Sequence, residues 1–417
     1  RAFMKQLTQL IYQDMAPAYG VTEPGAIAYA CALARAQVPQ VEKIWLGVNS
    51  GIYKNAFTCA IPGTEEEGCA WAAALGALGG DAEKGLAALE NLPEGVHAQA
   101  QALLEKGAVT VEMCRLAPEI FIEARVKGGG HQGVARLENT HTGLTYLEKD
   151  GVVLKNDPPS PQQQDPCQEI CGYTLQELCQ YVRQAPMEEF RFLEDALAMN
   201  QALLQAGEQE NKLPLTRVLA GNRESILDEM TYLACGAIEA RVRGASAPAM
   251  SLTGSGSHGI LATMPLLGAA QKSGKSREEL LRALALSCLV TIYIKEYSGR
   301  LSALCGCALA GGTGTACGLV LLFGGSDEQI ALAVQNMAAS LTGMICHGGN
   351  QGCALKARAG VQCAWDMSRL ALQSLAVDSR HSILGSTPEK TMQNMGRIAC
   401  PGMTHTEETI LEILFEK

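Results

Sequence analysis

Aromatic side chains make up only 5% of this 417-residue chain, and charged ones only 18%. Broad ring-lined or heavily solvated surfaces are therefore scarce, and small side chains between closely packed helices are the expectation. No apolar run reaches the length a bilayer demands. The longest, Ala283–Ile294, reads as a buried helix. Basic residues are outnumbered, 33 Lys and Arg against 43 Asp and Glu, for a net charge of −10. That balance speaks against nucleic acid or an acidic membrane surface as partner. No G-x-S-x-G elbow is present, so a Ser/His/Asp hydrolase is not indicated. Nor is there a C-x-x-C pair to favour zinc. The opening residues, RAFMKQLTQLIYQDM, place Phe3, Leu7, Leu10, Ile11 and Met15 at helical spacing. They read as an amphipathic helix rather than a signal peptide, and a cytoplasmic location is expected.

What the chain has in quantity is cysteine and glycine, 16 and 44 residues. The cysteines follow no scaffold spacing, and a chain of this size needs no staples. Reduced thiols are expected, some of them available to a metal. Five of them, Cys305, Cys307, Cys317, Cys346 and Cys353, fall in SGRLSALCGCALAGGTGTACG (Ser298–Gly318) and TGMICHGGNQGCALK (Thr342–Lys356). Thiolates bind soft metals and iron–sulfur clusters, and small neighbours let a bulky centre approach the backbone. Two such stretches separated by one helix can converge on one site. Taken singly, each cysteine is equally well a small hydrophobe between helices.

The fold class read from the pattern is α+β. A large Ala/Gly-rich all-helical catalytic domain is joined by a smaller α+β domain inserted after the N-terminal helices. The expected bounds are 1–39 for N-terminal helices packing on the catalytic domain, 40–155 for the α+β domain, 156–166 for a Pro/Gln-rich linker, and 167–417 for the helical domain. Between residues 40 and 155, short alternating runs such as VTVEMC and EIFIEARVKGGG read as strands. AFTCAIPG reads the same way, and a helical piece is expected around Ala82–Gly107. Thr22 is expected to cap a helix with Pro24 in its first turn, a natural seat for a carboxylate. NSGIYKN (Asn49–Asn55) reads as a polar turn able to offer Asn49, Ser50 and Lys54 to a ligand. TGSGSHGI matches G-x-G-x-x-G at Gly254, Gly256 and Gly259, but what precedes it contains Pro248 and has little strand character. A Gly/Ser loop presenting Ser255, Ser257 and His258 to a small anion is the better reading. Cys167, Cys171 and Cys179 read as structural.

TEPGAIA, VNSGIYKNAFTCAIPGT, TGSGSHGI, LCGCALAGGTG, LTGMICHGGNQGCALK and NMGRI occur in an order that spans the chain. Together they resemble the L-cysteine desulfidase family, or UPF0597, which is similar to the alpha chain of iron–sulfur L-serine dehydratases. The resemblance implies a lyase with a [4Fe–4S] cluster on three cysteines and no PLP. Its reaction would be β-elimination from a small amino acid, L-cysteine giving sulfide, ammonia and pyruvate. It also implies metal ligands among Cys305, Cys307, Cys346 and Cys353. The family's CTEP motif is GVTEP here, so Val21 stands at one ligand position. Its CDG is likewise replaced, with His347 following Cys346. His258 is the expected base, with Lys54 and Lys356 as further candidates. Thr22, Glu23, Asn49, Ser50, Ser255 and Ser257 are expected to hold the substrate. Homo-oligomers are compatible with Ala/Gly-rich helices. Two other readings remain: a cluster-free relative acting on a small amino or hydroxy acid, and a thiol or metal redox sensor.

Overall fold

The computed structural model describes residues 2–117, 119–159, 169–299 and 302–417, with side chains from residue 5 onward. The side chain of Phe3, Cys167 and most of the expected linker lie outside the described residues. Chain order runs α1 (Ala2–Asp14), β1 (Ala16–Tyr19), α2 (Thr22–Arg35), β2 (Lys43–Asn49), α3 (Ser50–Ala56), α4 (Cys69–Gly79) and α5 (Val96–Glu105). Then come β3 (Val109–Arg115), β4 (Phe121–Gly128), β5 (His131–Glu138), β6 (Leu144–Lys149) and β7 (Val152–Asn156). The remainder is α6 (Leu175–Gln184), α7 (Leu193–Gln209), α8 (Pro214–Leu219), α9 (Ile226–Val242), β8 (Pro248–Ser251), α10 (Gly256–Ser273), α11 (Arg277–Ser298), α12 (Gly312–Leu322), α13 (Asp327–Leu341), α14 (Gly352–Leu372), α15 (Pro388–Arg397) and α16 (Thr404–Phe415). The class is α+β.

A six-stranded mixed sheet runs in the order β3-β2-β4-β5-β6-β7, with only β2 and β3 parallel. Alternation along β4 puts Ile122, Ala124 and Val126 on the face covered by α2 and α4, whose alanines complete that core. The α2–α4 crossing is tight. A Cβ at Gly76 would come within 2.4 Å of Ala28 Cα.

A second, larger core lies among the helices. α10, α11 and α12 are buried nearly all round, as uniformly apolar or small-residue helices must be. The starts of α6, α9, α11 and α13 carry reciprocal capping boxes, Thr174/Glu177, Ser225/Asp228, Ser276/Glu279 and Ser326/Gln329.

Four local expectations give way. NSGIYKN is helix α3 rather than a turn. AFTCAIPG contributes only one bridge, Ala60 to Glu67. Residues 82–107 split into a 3-10 turn, Ala82–Ala87, and α5. Thr22 is the first residue of α2 and caps nothing. Val21 is the N-cap, and Thr22 Oγ1 donates to the Gly254 carbonyl at 3.1 Å.

Candidate active site

Two pieces of backbone pairing build a cleft. The first is the antiparallel pair β1–β8, with Ala16 opposite Ser251 and Tyr19 opposite Pro248. It sets the starts of α2 and α10 side by side, so GSGSHG is the turn into α10 and its first helical residues, rather than a loop. The second joins the cysteine stretches. The Cys305 N–H donates to Met344 O at 2.8 Å, the Cys346 N–H donates to Ala303 O at 2.6 Å, and Leu304 bridges Ile345. A π-helical turn, Cys307–Gly311, then leads into α12, a geometry often found at functional sites. The cleft encloses about 760 Å³ including its open mouth. Glu23, Arg241, His258 and Lys295 line it, together with the sulfur-bearing residues Cys305, Cys307, Cys346 and Cys353.

His258 is positioned by strain. Thr253 has φ +54°, a left-handed conformation that costs a β-branched residue energy. Its Oγ1 donates to the Leu252 carbonyl at 2.7 Å and lies 2.6 Å from His258 Nδ1. With the single hydroxyl proton assigned to the Leu252 carbonyl, Nδ1–H is the donor in the second contact and Nε2 carries the lone pair. Nε2 faces Gly306, where an added Cβ would sit 2.8 Å from it and 3.0 Å from Lys295 Nζ. Burial pulls the imidazole pKa well down, and the positive charges of Lys295 and Arg241 pull it further. The ring is neutral at pH 7.

Glu23 and Arg241 supply opposite charges. Glu23 Oε1 accepts from Asn55 Nδ2 at 3.2 Å and lies 3.5 Å from His141 Nε2. That second contact is within ion-pair range without the alignment of a hydrogen bond, since His141 Nε2 has no hydrogen-bond partner among the described residues. Burial alone would raise the carboxyl pKa, but His141 and Arg241 outweigh it and hold it at about 2. Arg241, on α9, donates from one terminal nitrogen to Ser257 Oγ at 2.7 Å, and its Nε has no hydrogen-bond partner among the described residues.

The thiols are mutually discouraging. Burial pushes Cys305 up to about 12, and neighbouring Cys346 and Cys353 add to the effect. Burial likewise raises Cys353 and, further, Cys307, whose sulfur lies 3.5 Å from the Ser257 carbonyl. Cys317, by contrast, is fully buried in the helical core and does not line the cleft.

Of the residues singled out from sequence, Glu23, Ser255, Ser257, His258, Lys356, Cys305, Cys307, Cys346 and Cys353 line this cleft. Thr22, Asn49, Ser50 and Lys54 do not. Asn49 and Ser50 both donate to the Ala117 carbonyl, and Asn49 also accepts from the Phe121 N–H. Lys54 is buried and pairs with Glu407 at 2.7 Å. Burial would lower its pKa, yet Cys346 and Glu407 together raise it, so it stays an ammonium rather than a neutral base.

The chain is similar to known proteins over nearly its whole length. The serine dehydratase alpha chain family matches residues 83–412. A UPF0597 protein of Clostridium botulinum (strain Okra / Type B1) is 37% identical over 424 residues, covering 98% of this chain and 98% of its own. UPF0597 proteins of Caldanaerobacter subterraneus and Bacteroides fragilis are 35% and 36% identical over 418 and 423 residues, each covering 99% of this chain and 98% of its own. The chain belongs to the serine dehydratase alpha chain family. Membership supports a lyase of the serine dehydratase kind.

Within that family, this chain's Val21 stands at the start of α2 and lines the cleft. Its side chain and the Cys59 sulfur press on the same point, 2.8 Å and 2.7 Å from where a Gly349 Cβ would be. Arg241, Lys295, His141 and Asn55 escaped the sequence reading. For Arg241 and Lys295 a signal existed, since each is a cation set in an otherwise apolar helical run, ACGAIEARV and LVTIYIK.

Proposed function

We propose that this protein eliminates the β-substituent of a small L-amino acid, L-cysteine or L-serine, releasing pyruvate and ammonia. The observation that carries the reading is the meeting of a neutral, pre-oriented His258 with four thiols from two separate backbone stretches in one cleft. The family is generally of the iron–sulfur type. Among the described residues, no three His, Cys, Asp or Glu side chains stand close enough to share one ion. A four-iron cluster instead spreads its thiolates over the corners of a cube, and an all-thiolate donor set is what such a cluster takes. Cys305 or Cys307, Cys346 and Cys353 would hold it. The chemistry it would supply is Lewis-acid activation of the β-sulfur or β-hydroxyl.

The protein's own residues account for the remainder. The start of α10, with Ser255 and Ser257, offers donors to the substrate carboxylate. His258 Nε2 takes the α-proton, and its Nδ1–H stays bonded to Thr253. Departure of the β-group then leaves aminoacrylate, which water converts to pyruvate and ammonia. Lys295 and Arg241 keep His258 unprotonated between turnovers.

Purification without air, followed by iron and sulfide analysis and a pyruvate assay on both amino acids, tests the proposal. Cys346→Ala is expected to lose the bound iron and to lower turnover at least about a hundredfold. Full activity in that variant would remove the reading. Val21 favours one alternative, a cluster-free relative acting on another small acid. An iron-free protein that carries a bound small carboxylate and releases no pyruvate from either amino acid would support it. The raised thiol pKa values count against a redox sensor, which needs thiolates.

A further inference from the structure

Glu23 and Arg241 are only 7% and 4% exposed, and both line the cleft. Each feels the other's charge, yet they form no ion pair, and among the described residues Arg241 has no carboxylate within salt-bridge distance. A guanidinium taken out of water needs an anion, and leaving one without a partner is unfavourable. Here the protein offers Arg241 a hydroxyl, Ser257 Oγ at 2.7 Å, while its Nε finds no hydrogen-bond partner among the described residues. Glu23 is held from the side by Asn55 and His141, both contacts falling on Oε1. A fixed anion and a fixed cation in one desolvated cleft form a template for a ligand that carries both charges.

We infer that the cleft reads its substrate as a zwitterion, Glu23 binding the α-ammonium and Arg241 with Ser257 binding the α-carboxylate. Glu23 and Arg241 are thereby the residues that set an α-amino acid apart from a 2-hydroxy acid or an amino amide. The inference rests on the elimination reading for its choice of small substrates, and it adds what distinguishes them. A hydroxyl in place of the ammonium still donates a hydrogen bond to Glu23 but brings the buried carboxylate no added positive charge. An amide in place of the carboxylate likewise brings Arg241 no added negative charge.

Calorimetric titration of the anaerobically purified protein with L-serine, L-glycerate and L-serine amide separates these ideas, because it reads binding rather than turnover. Wild type is expected to bind L-serine at least about tenfold more tightly than either analogue. Glu23→Gln is expected to abolish the preference over glycerate and keep the preference over the amide. Arg241→Gln should do the reverse. If Arg241→Gln fails to fold, as judged by thermal melting, the near-isosteric Glu23→Gln decides. Equal wild-type affinity for L-serine and glycerate overturns the inference, as does no measurable L-serine binding. An unchanged preference in Glu23→Gln overturns it as well. Pyruvate release with an unchanged preference in Glu23→Gln would leave elimination standing and remove the zwitterion template. The predicted preferences without any pyruvate release would do the opposite.

Discussion

A carboxylate buried like Glu23 ionises only because other groups make it favourable, and the consequence is measurable as acid sensitivity. Its pKa falls from 4.5 to about 2 on folding, overcoming the opposing effect of burial. A depressed folded-state value means the unfolded chain binds the proton more tightly. The stabilisation is therefore complete above pH 4.5 and is lost as pH falls towards 2. Its size is about 3 kcal/mol. Urea melts at neutral pH and near pH 3 should show this loss in wild type and a correspondingly smaller one in Glu23→Gln. Identical acid dependence in both would mean that His141 and Arg241 do not hold the charge. At this scale the sequence was legible where a residue sat inside a motif. His258 was found that way, since GSGSH marks a chain break that brings polar groups to a surface, and Glu23 came through the TEP of the family resemblance. Arg241 and Lys295 were not, because a cation in an apolar helix acquires its meaning only from what packs against it.

At the scale of elements, the cysteine stretches owe their convergence to one β-bridge and to glycines that leave room. Gly306 has ordinary helical φ and ψ, −63° and −30°, so the backbone there tolerates any residue. The space does not. A methyl group would press on His258 Nε2. Gly306→Ala is therefore expected to lower turnover by about tenfold to a hundredfold while the thermal midpoint moves by only a few degrees. A fully active variant would show that Nε2 does not work from the position seen here. Four helix starts are closed by local chemistry, Ser or Thr with an acidic or amide residue three positions on, whereas Thr22, the cap expected from sequence, is itself the first residue of α2. NSGIYKN was misread for the complementary reason. Its polar side chains signal a turn in isolation, whereas in the fold Ala117 and Glu407 take up Asn49, Ser50 and Lys54 and allow a buried helix.

Across the whole molecule, α16 near the C-terminus reaches back to α3 through the Lys54–Glu407 pair, in which the lysine side chain is only 1% exposed. Glu407→Gln strands that ammonium beside the Ser302 carbonyl, 3.4 Å away, and is expected to cost about 3 kcal/mol. Lys54→Met together with Glu407→Leu should recover much of it. Chemical denaturation of the two variants checks both statements, and a neutral Glu407→Gln would mean that water already reaches the pair. Sequence by itself determined the α+β class, the strands of the sheet and the order of the family's motifs, because periodicity, capping and turn chemistry act over a few neighbouring residues. Which polar groups face the cleft was decided by the tertiary structure alone. Residues 23, 241, 258, 305 and 346 become neighbours only when the β1–β8 pair and the Leu304–Ile345 bridge close, and the charges that set each group's protonation come from those distant partners.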